Sequence, residues 1–273
     1  MNLTSHLVSP LRRSRVLELA RRPRFKRDLR VLGVVPSTLD VAADLARRGA
    51  PDGTTVVADG QFHGRGRRGG AWISSPGHGL YFTALVRPAP EGRQAALVSG
   101  AAGLAAAEAV RRVTGGDARL KWPNDVWLDG RKIGGVLIET SGGADSYAAV
   151  GVGITLVPPS EDDAAPGVAP LGGLAFLVEA EPAREALCAA LMDALDERLE
   201  WAASDPERLR AEYRERDALK GLEVVLELPD GPVSGVVRHA DLADGLVLER
   251  PDGSRFRVQA ALAHVSQVVR RES

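Results

Sequence analysis

The side chains best suited to chemistry lie in two short stretches of this chain. Residues 64–70 read Gly-Arg-Gly-Arg-Arg-Gly-Gly. Glycines let a backbone approach a ligand closely, and arginines supply planar, permanently charged donors that suit phosphate groups. Residues 121–125 read Lys-Trp-Pro-Asn-Asp, and Lys132 follows just before a Gly-Gly pair and an apolar strand. These cations, amide and carboxylate predict a site for an anionic ligand, beside a loop that can fold over it and exclude water.

Each stretch also has a simpler interpretation. Residues 64–70 alone are typical of a flexible basic turn or of a nucleic-acid contact, and residues 123–125 are typical of an ordinary turn. Residues 37–40, Ser-Thr-Leu-Asp, have the form of a helix start, so the two hydroxyls serve as caps in the simplest interpretation. Core packing alone is the corresponding alternative for Trp72, and tight sheet packing is the alternative for Gly135, Leu137, Gly151 and Gly153.

The composition narrows the class of protein. Of 273 residues, 44% are hydrophobic and 26% charged, and the net charge is −1, so no overall field attracts the chain to nucleic acid or an acidic membrane. No apolar run approaches the roughly 20 residues that span a bilayer. Cys188 is the single cysteine, which precludes an internal disulfide. We therefore expect a cytoplasmic protein with no membrane partner. The absence of a G-x-x-x-x-G-K-[ST] loop excludes a P-loop ATPase.

The elements that must position these side chains follow from the spacing of apolar residues. β-Branched and apolar runs predict strands at 31–35, 54–58, 80–86, about 118–122, 126–128, 133–140 and 147–156. Helical patterns with caps predict helices from about residue 38 to 48, 94–113, 182–202 and 205–216. Two hairpins are predicted near the C-terminus, 222–228 with 233–239 and 245–250 with 255–259. This order predicts an α+β fold, a mixed and mostly antiparallel sheet flanked by helices, followed by a small β-barrel.

The same pattern divides the chain into three parts. Residues 1–30 are rich in arginine and predict a mobile, solvated basic tail with one short helix; a nucleic-acid-binding arm is the alternative. Residues 31–217 form the predicted α+β domain that holds both motifs. Residues 218–273 form the predicted β domain.

The two motifs, in this order, resemble those of biotin protein ligases, which activate biotin with ATP and attach it to a lysine of a carrier protein. The resemblance covers roughly residues 31–270. It implies a class II synthetase-like catalytic domain, an SH3-like C-terminal barrel, ATP and biotin as substrates, and Mg²⁺. It also implies a partner, the biotin carrier domain of acyl-CoA or pyruvate carboxylases.

Some ligases of this family carry an N-terminal winged helix that binds DNA. Residues 1–30 are too few for that domain, so we expect a form without it and no specific DNA binding. The sequence is compatible with two oligomeric states, a monomer and a homodimer.

The resemblance also implies roles for particular residues. It implies that the catalytic residues are Lys132, Arg67 and Asp125, with Asp125 also as the metal ligand. It implies contacts to biotin from Ser37, Thr38, Gln61, Gly64, Arg65, Lys132, Gly135, Leu137, Gly151 and Gly153. It implies contacts to ATP from Arg67, Arg68, Trp72, Lys121, Asn124, Asp125 and Lys132.

Three positions depart from the family's usual pattern. Leu39 stands where Asn is usual, His63 replaces a small residue, and Thr155 replaces Asn. The sequence therefore allows three alternative functions. They are a lipoate or octanoate ligase or transferase of related fold, a ligase-like protein with reduced activity, and a non-catalytic nucleic-acid-binding protein. The Gly/Arg loop and the Lys-Trp-Pro-Asn-Asp run favour biotin.

Overall fold

A seven-stranded sheet carries most of the residues singled out above. The structure, a computed structural model, describes residues 10–143, 145–158, 172–174, 183–260 and 264–269. The strands of this sheet are β1 (Leu29–Val35), β2 (Thr55–Gln61), β3 (Gly79–Val86), β4 (Arg119–Lys121), β5 (Asp125–Leu128), β6 (Arg131–Ser141) and β7 (Tyr147–Thr155). Their spatial order is β1-β2-β3-β7-β6-β5-β4. β1 and β2 pair in parallel and every other neighbouring pair is antiparallel, which confirms the predicted mixed, mostly antiparallel sheet.

Helices cover both faces of this sheet. They are α1 (Arg13–Leu19), α2 (Thr38–Arg47), α3 (Arg93–Thr114), α4 (Ala183–Ser204) and α5 (Pro206–Glu215). The apolar side of α2 packs in a small cluster with Val56 and Leu85, whereas α3 and α4 belong to the main core on the other face. α2 begins because the Ser37 hydroxyl accepts a hydrogen bond from the Leu39 amide. In the part of the chain that the structure describes, no helix combines the length and apolar character needed to cross a membrane.

Residues 10–28 pack against α4 instead of forming a solvated tail. Leu11, Val16 and Phe25 are buried in the main core. The acidic side of α4 binds the basic segment: Glu185 accepts from Arg12, and the carboxylate of Asp193 accepts from two backbone amides, those of residues 21 and 22. The prediction of a mobile tail is therefore wrong for residues 10–28, because apolar side chains anchor the segment and four of its arginines pair with carboxylates. Residues 1–9 lie outside the described part.

Phe25→Ala tests whether this segment is an integral part of the fold. Because Phe25 is 1% exposed, we expect the free energy of unfolding to fall by about 3–5 kcal/mol. Urea denaturation followed by circular dichroism measures this change. The matched control is Arg15→Ala, on the exposed side of α1, which should change the free energy by less than about 0.5 kcal/mol. Equal effects of the two substitutions would show that the segment does not contribute to the core.

A second, five-stranded antiparallel sheet follows α5. Its strands are β8 (Glu223–Leu228), β9 (Gly231–Asp241), β10 (Gly245–Glu249), β11 (Arg255–Val258) and β12 (His264–Val269), in the order β11-β10-β9-β8-β12. Both predicted hairpins are present, and β12 was not predicted. The buried carboxylate of Asp217 accepts from the amides of Leu219 and Ala240, which ties the connection after α5 to β9. The predicted domain boundary between residues 217 and 218 falls in this connection.

A buried carboxylate fastens the C-terminal end of α3. Glu108 accepts hydrogen bonds from Arg111 at 2.9 Å and from Arg112 at 2.7 Å, and Arg216 lies 3.8 Å away. Burial alone would raise the pKa of Glu108, but the hydrogen bonds and charges of the arginines together outweigh it and lower the pKa to about 2. The charged form of Glu108 therefore stabilises the folded state.

The stability that Glu108 contributes should depend on pH. Since its pKa is lowered from 4.5 to about 2 on folding, its contribution is present above pH 4.5 and is lost as the pH falls toward 2. We expect Glu108→Gln to lower the free energy of unfolding by about 1–3 kcal/mol at pH 7. Urea denaturation from pH 7 to pH 2.5 should show the difference from wild type shrinking below pH 4.5. A difference independent of pH would contradict the assignment.

Candidate active site

A cavity of about 240 Å³ opens between the start of α2, the loop after β2 and the strands β6 and β7. The wall of this cavity contains most of the residues predicted from the sequence: Ser37, Thr38, Gln61, Arg65, Arg67, Trp72, Asn124, Asp125, Lys132, Gly135, Leu137, Gly151 and Gly153. Residues distant in the sequence thus meet at one place. Tyr81, Phe82 and Val152 also line the cavity and were not predicted.

Three predicted residues do not line this cavity. Gly64 lies behind the wall, where an added Cβ would stand 2.3 Å from the carbonyl oxygen of Trp72, so only glycine fits. Arg68 is exposed, at a positive φ of 58°. The ammonium of Lys121 lies over the Trp127 ring and faces a neighbouring cavity of about 690 Å³, and burial lowers its pKa.

One end of the cavity is a network of neutral polar groups. The Gln61 carbonyl oxygen accepts from the Thr38 amide at 2.8 Å and from the Thr38 hydroxyl at 3.0 Å. The Gln61 amide donates to the Ser74 hydroxyl at 2.9 Å, and the Thr83 hydroxyl donates to that of Thr38 at 2.9 Å. Sequence reasoning missed Ser74 and Thr83. The available signal was Thr83, a polar residue inside the apolar strand β3.

The other end holds cations. The Lys132 ammonium lies 2.7 Å from a carboxylate oxygen of Asp125 and 5.4 Å from the centre of the Trp72 ring. In the β5–β6 pairing Asp125 lies opposite Gly135 and Trp127 lies opposite Lys132, with a register shift between the two pairs. The backbone and side chain of Asn124 both bond to Val136, which fixes the start of β5 against β6. Lys132 is therefore held at a strand entrance by a carboxylate and an aromatic ring.

Arg67 is a cavity cation that donates hydrogen bonds to two neutral groups of the described residues. Its guanidinium donates to the Asn124 side-chain oxygen at 3.3 Å and to the backbone carbonyl of Ala260 at 2.9 Å. Burial lowers its pKa, and the nearby charge of Asp125 opposes that shift. An arginine stays charged nonetheless. A half-buried guanidinium with neutral hydrogen-bond partners is a strong place for an incoming anion, because no carboxylate among the described residues forms an ion pair with it.

The glycines of β6 and β7 form the floor of the cavity. A Cβ added to Gly153 would stand 2.7 Å from the indole nitrogen of Trp72, and one added to Gly135 would stand 3.7 Å from the same ring. The sequence predicted that these glycines leave room for the ligand. At Gly153 the indole of Trp72 takes that room. The indole nitrogen is buried and has no hydrogen-bond partner among the described residues.

Comparison with known proteins identifies the family. Residues 31–154 match the family model described as biotin/lipoate A/B protein ligase family. The biotin–[acetyl-CoA-carboxylase] ligase of Mycobacterium tuberculosis is 34% identical over 232 residues, 81% of this chain and 84% of the relative. This chain belongs to the biotin protein ligase family.

Solved biotin protein ligases share the fold. The Aquifex aeolicus enzyme, in complex with biotin and ATP, superposes with a TM-score of 0.73 at 25% identity, over 88% of this chain and 98% of that one. The Leishmania major enzyme, in complex with biotinyl-5-AMP, gives a TM-score of 0.53 at 25% identity, over 86% and 99%.

The three departures from the usual ligase pattern lie in different places. Leu39 is buried and lines the cavity, where its side chain would stand 3.1 Å from a Cβ added to Gly151. His63 is exposed, and its ring makes a T-shaped contact with that of Phe62. Thr155 is buried at the end of β7, outside the described wall of the cavity. Leu39 is therefore the departure placed to alter ligand contacts.

Gly153→Ala tests the floor of the ligase cavity. Because the new methyl group would overlap Trp72, we expect the indole to shift and biotin affinity to fall roughly tenfold or more. Isothermal titration calorimetry with biotin measures the affinity. The matched control is Gly33→Ala in β1, where an added Cβ meets no atom within 4 Å. Unchanged affinity in Gly153→Ala would show that the Trp72 position is not needed for binding.

Proposed function

We propose that this protein activates biotin with ATP to biotinyl-5′-AMP and transfers biotin to a lysine of a carrier protein. The observation that carries the proposal is the layout of the cavity. A neutral polar network around Gln61 lies at one end, and two cations, Lys132 and Arg67, lie at the other. Biotin has the same polarity, a neutral ureido ring and an anionic carboxylate.

The polar network suits the ureido ring. This ring offers both donors and an acceptor, and each unpaired buried group costs about 1–3 kcal/mol. The hydroxyls of Ser37 and Thr38 and the amide of Gln61 supply both kinds of partner at the wall of the cavity. The apolar wall formed by Leu39, Leu137 and the glycines suits the rest of the bicyclic ring and its chain.

The first step joins biotin to AMP. A biotin carboxylate oxygen attacks the α-phosphorus of ATP, an O–P bond forms, and the bond to pyrophosphate breaks. A carboxylate is ionised at pH 7, so this step needs no general base. It needs positioning and stabilisation of negative charge, which the ammonium of Lys132 and the guanidinium of Arg67 can provide. The loop 64–70 then shields the mixed anhydride from water.

Mg²⁺ fits the site as an ion that arrives with ATP. No cluster of three or more His, Cys, Asp or Glu side chains that could hold a metal occurs in the described part of the chain. Mg²⁺ is commonly held by one or two carboxylates together with substrate phosphates and water. Asp125, with Asn124 beside it, can supply such a ligand. When bound, the ion neutralises part of the phosphate charge.

The second step transfers biotin to the carrier. The lysine amine attacks the acyl carbon, a C–N bond forms, and the acyl–phosphate bond breaks to release AMP. The amine must lose a proton, since the pKa of a free lysine is about 10.4. Asp125 is the candidate acceptor or orienting group. A biotin carrier domain of an acyl-CoA or pyruvate carboxylase is the proposed partner, supported by the carboxylase named for the Mycobacterium tuberculosis relative.

The rival hypotheses have less support. The complexes of the similar structures contain biotin, ATP or biotinyl-5-AMP, which favours biotin over lipoate. A nucleic-acid-binding role would need free basic residues, whereas Arg12, Arg22 and Arg24 in the N-terminal segment pair with carboxylates. A cytoplasmic location is proposed from the single, buried cysteine.

Lys132→Ala tests the adenylation step. We expect biotin-dependent exchange of labelled pyrophosphate into ATP to fall roughly a hundredfold or more, since charge stabilisation is lost where negative charge develops. The thermal midpoint should change little because Lys132 is a partly exposed side chain. The control Lys220→Ala, at an exposed position outside the cavity, should retain wild-type exchange.

Three outcomes would change the proposal. Exchange with lipoate and none with biotin would favour the rival ligase. Loss of exchange together with loss of folding would make the role of Lys132 structural. No exchange with either acid from folded wild-type protein would direct attention to Leu39 and the other departures.

A further inference from the structure

Two carboxylates hold Arg65 across the mouth of the cavity. The guanidinium donates to Asp40 at 2.8 and 3.0 Å and to Glu139 at 3.0 and 3.1 Å. Asp40 lies in the first turn of α2 and Glu139 lies in β6, so the two partners stand on different elements of the cavity wall. We call this set of three residues the Arg65 clamp.

The clamp uses four of the five N–H donors of the guanidinium. Nε and both terminal nitrogens of Arg65 donate to carboxylates, in two bidentate pairs. The hydrogen bonds that Arg65 donates to Asp40, and then to Glu139, raise the pKa of Arg65, whereas burial lowers the pKa of Arg67 in the same loop. The protein itself thus takes most of the hydrogen-bonding capacity of Arg65, which the resemblance assigns to organising the biotin end.

The clamp is also the ionic attachment of the loop. Within residues 64–72 the backbone forms a narrow turn, with the Gly66 amide bonded to Gly70 and the Trp72 amide bonded to Gly64. These bonds shape the turn but do not join it to the wall. Two side-chain attachments to the wall are the Arg65 clamp on one side and Arg67 on the other. Movement of Arg65 away from the wall must break both bidentate pairs of the clamp.

We infer that Asp40 and Glu139 are positioning residues that keep the loop 64–70 closed over the cavity and so slow the release of biotinyl-5′-AMP. This inference rests on the proposed function. Exposed ion pairs contribute little to global stability, and Asp40 and Glu139 have side chains that are 49% and 41% exposed. Opening of a single loop requires far less free energy than global unfolding. The same ion pairs therefore make up a larger share of that free energy.

The test compares Asp40→Asn/Glu139→Gln with wild type and with Asp52→Asn. Asp52 is a matched control because it holds Arg24 in a bidentate pair, is 38% exposed and does not line the cavity. Each protein is first incubated with trypsin without ligand, and cleavage within residues 64–70 is followed by mass spectrometry. Each is then loaded with biotin, ATP and Mg²⁺, and the loss of labelled biotinyl-5′-AMP is timed after rapid removal of free ligand.

We expect the double variant to release biotinyl-5′-AMP roughly fivefold or more faster, and to be cleaved in the loop faster by a similar factor. Cleavage elsewhere in the chain and the thermal midpoint should match those of Asp52→Asn. Release and loop cleavage equal to those of Asp52→Asn would overturn the inference, and so would faster cleavage at all sites. If wild type forms no biotinyl-5′-AMP, the proposed function fails, while the cleavage arm still decides whether the clamp closes the loop.

Discussion

The pairing of Gly135 with Gly153 across β6 and β7 is the constraint on which the rest of the site depends. Two opposed glycines make a strip of sheet without side chains, and the indole of Trp72 rests on it. The position of Trp72 fixes the end of the Gly/Arg loop, supports the Lys132 ammonium and, two residues later, places the Ser74 hydroxyl on Gln61. The Gly135–Gly153 pair, through Trp72, thus determines the positions of groups at both the polar end and the cationic end of the cavity.

The three cations of the cavity differ in how far the protein already neutralises them. Arg65 has two carboxylate partners, Lys132 has one, and the recorded partners of Arg67 are neutral. An anionic substrate therefore gains most at Arg67, since an anion at Arg65 would compete with two fixed carboxylates. The arrangement concentrates the attraction for carboxylate and phosphate on the side of Arg67 and Lys132. Arg65 instead holds the loop 64–70 against the wall of the cavity.

The sequence predicted the elements that carry the motifs because their apolar spacing and caps are local signals. It also placed Lys132 and Asp125 in one site, through their motifs. It could not predict the partners of Arg65, which are 25 and 74 residues away, since long-range pairing leaves no local pattern. The docking of residues 10–28 was missed for a related reason. Their apolar side chains, Leu11, Val16, Ala20 and Phe25, are too sparse in a basic segment to show a periodic pattern, yet each of them is buried in the main core.

The hydrogen bond from Arg67 to the carbonyl of Ala260 joins the loop 64–70 to the connection that follows β11 of the second sheet. All described residues that line the cavity precede the second sheet in the chain. A fragment ending at residue 217 would therefore keep the entire described wall of the cavity and still lose the acceptor that aims its least neutralised cation. The first sheet thus provides the wall of the cavity, and the C-terminal part provides a hydrogen bond that orients Arg67 within it.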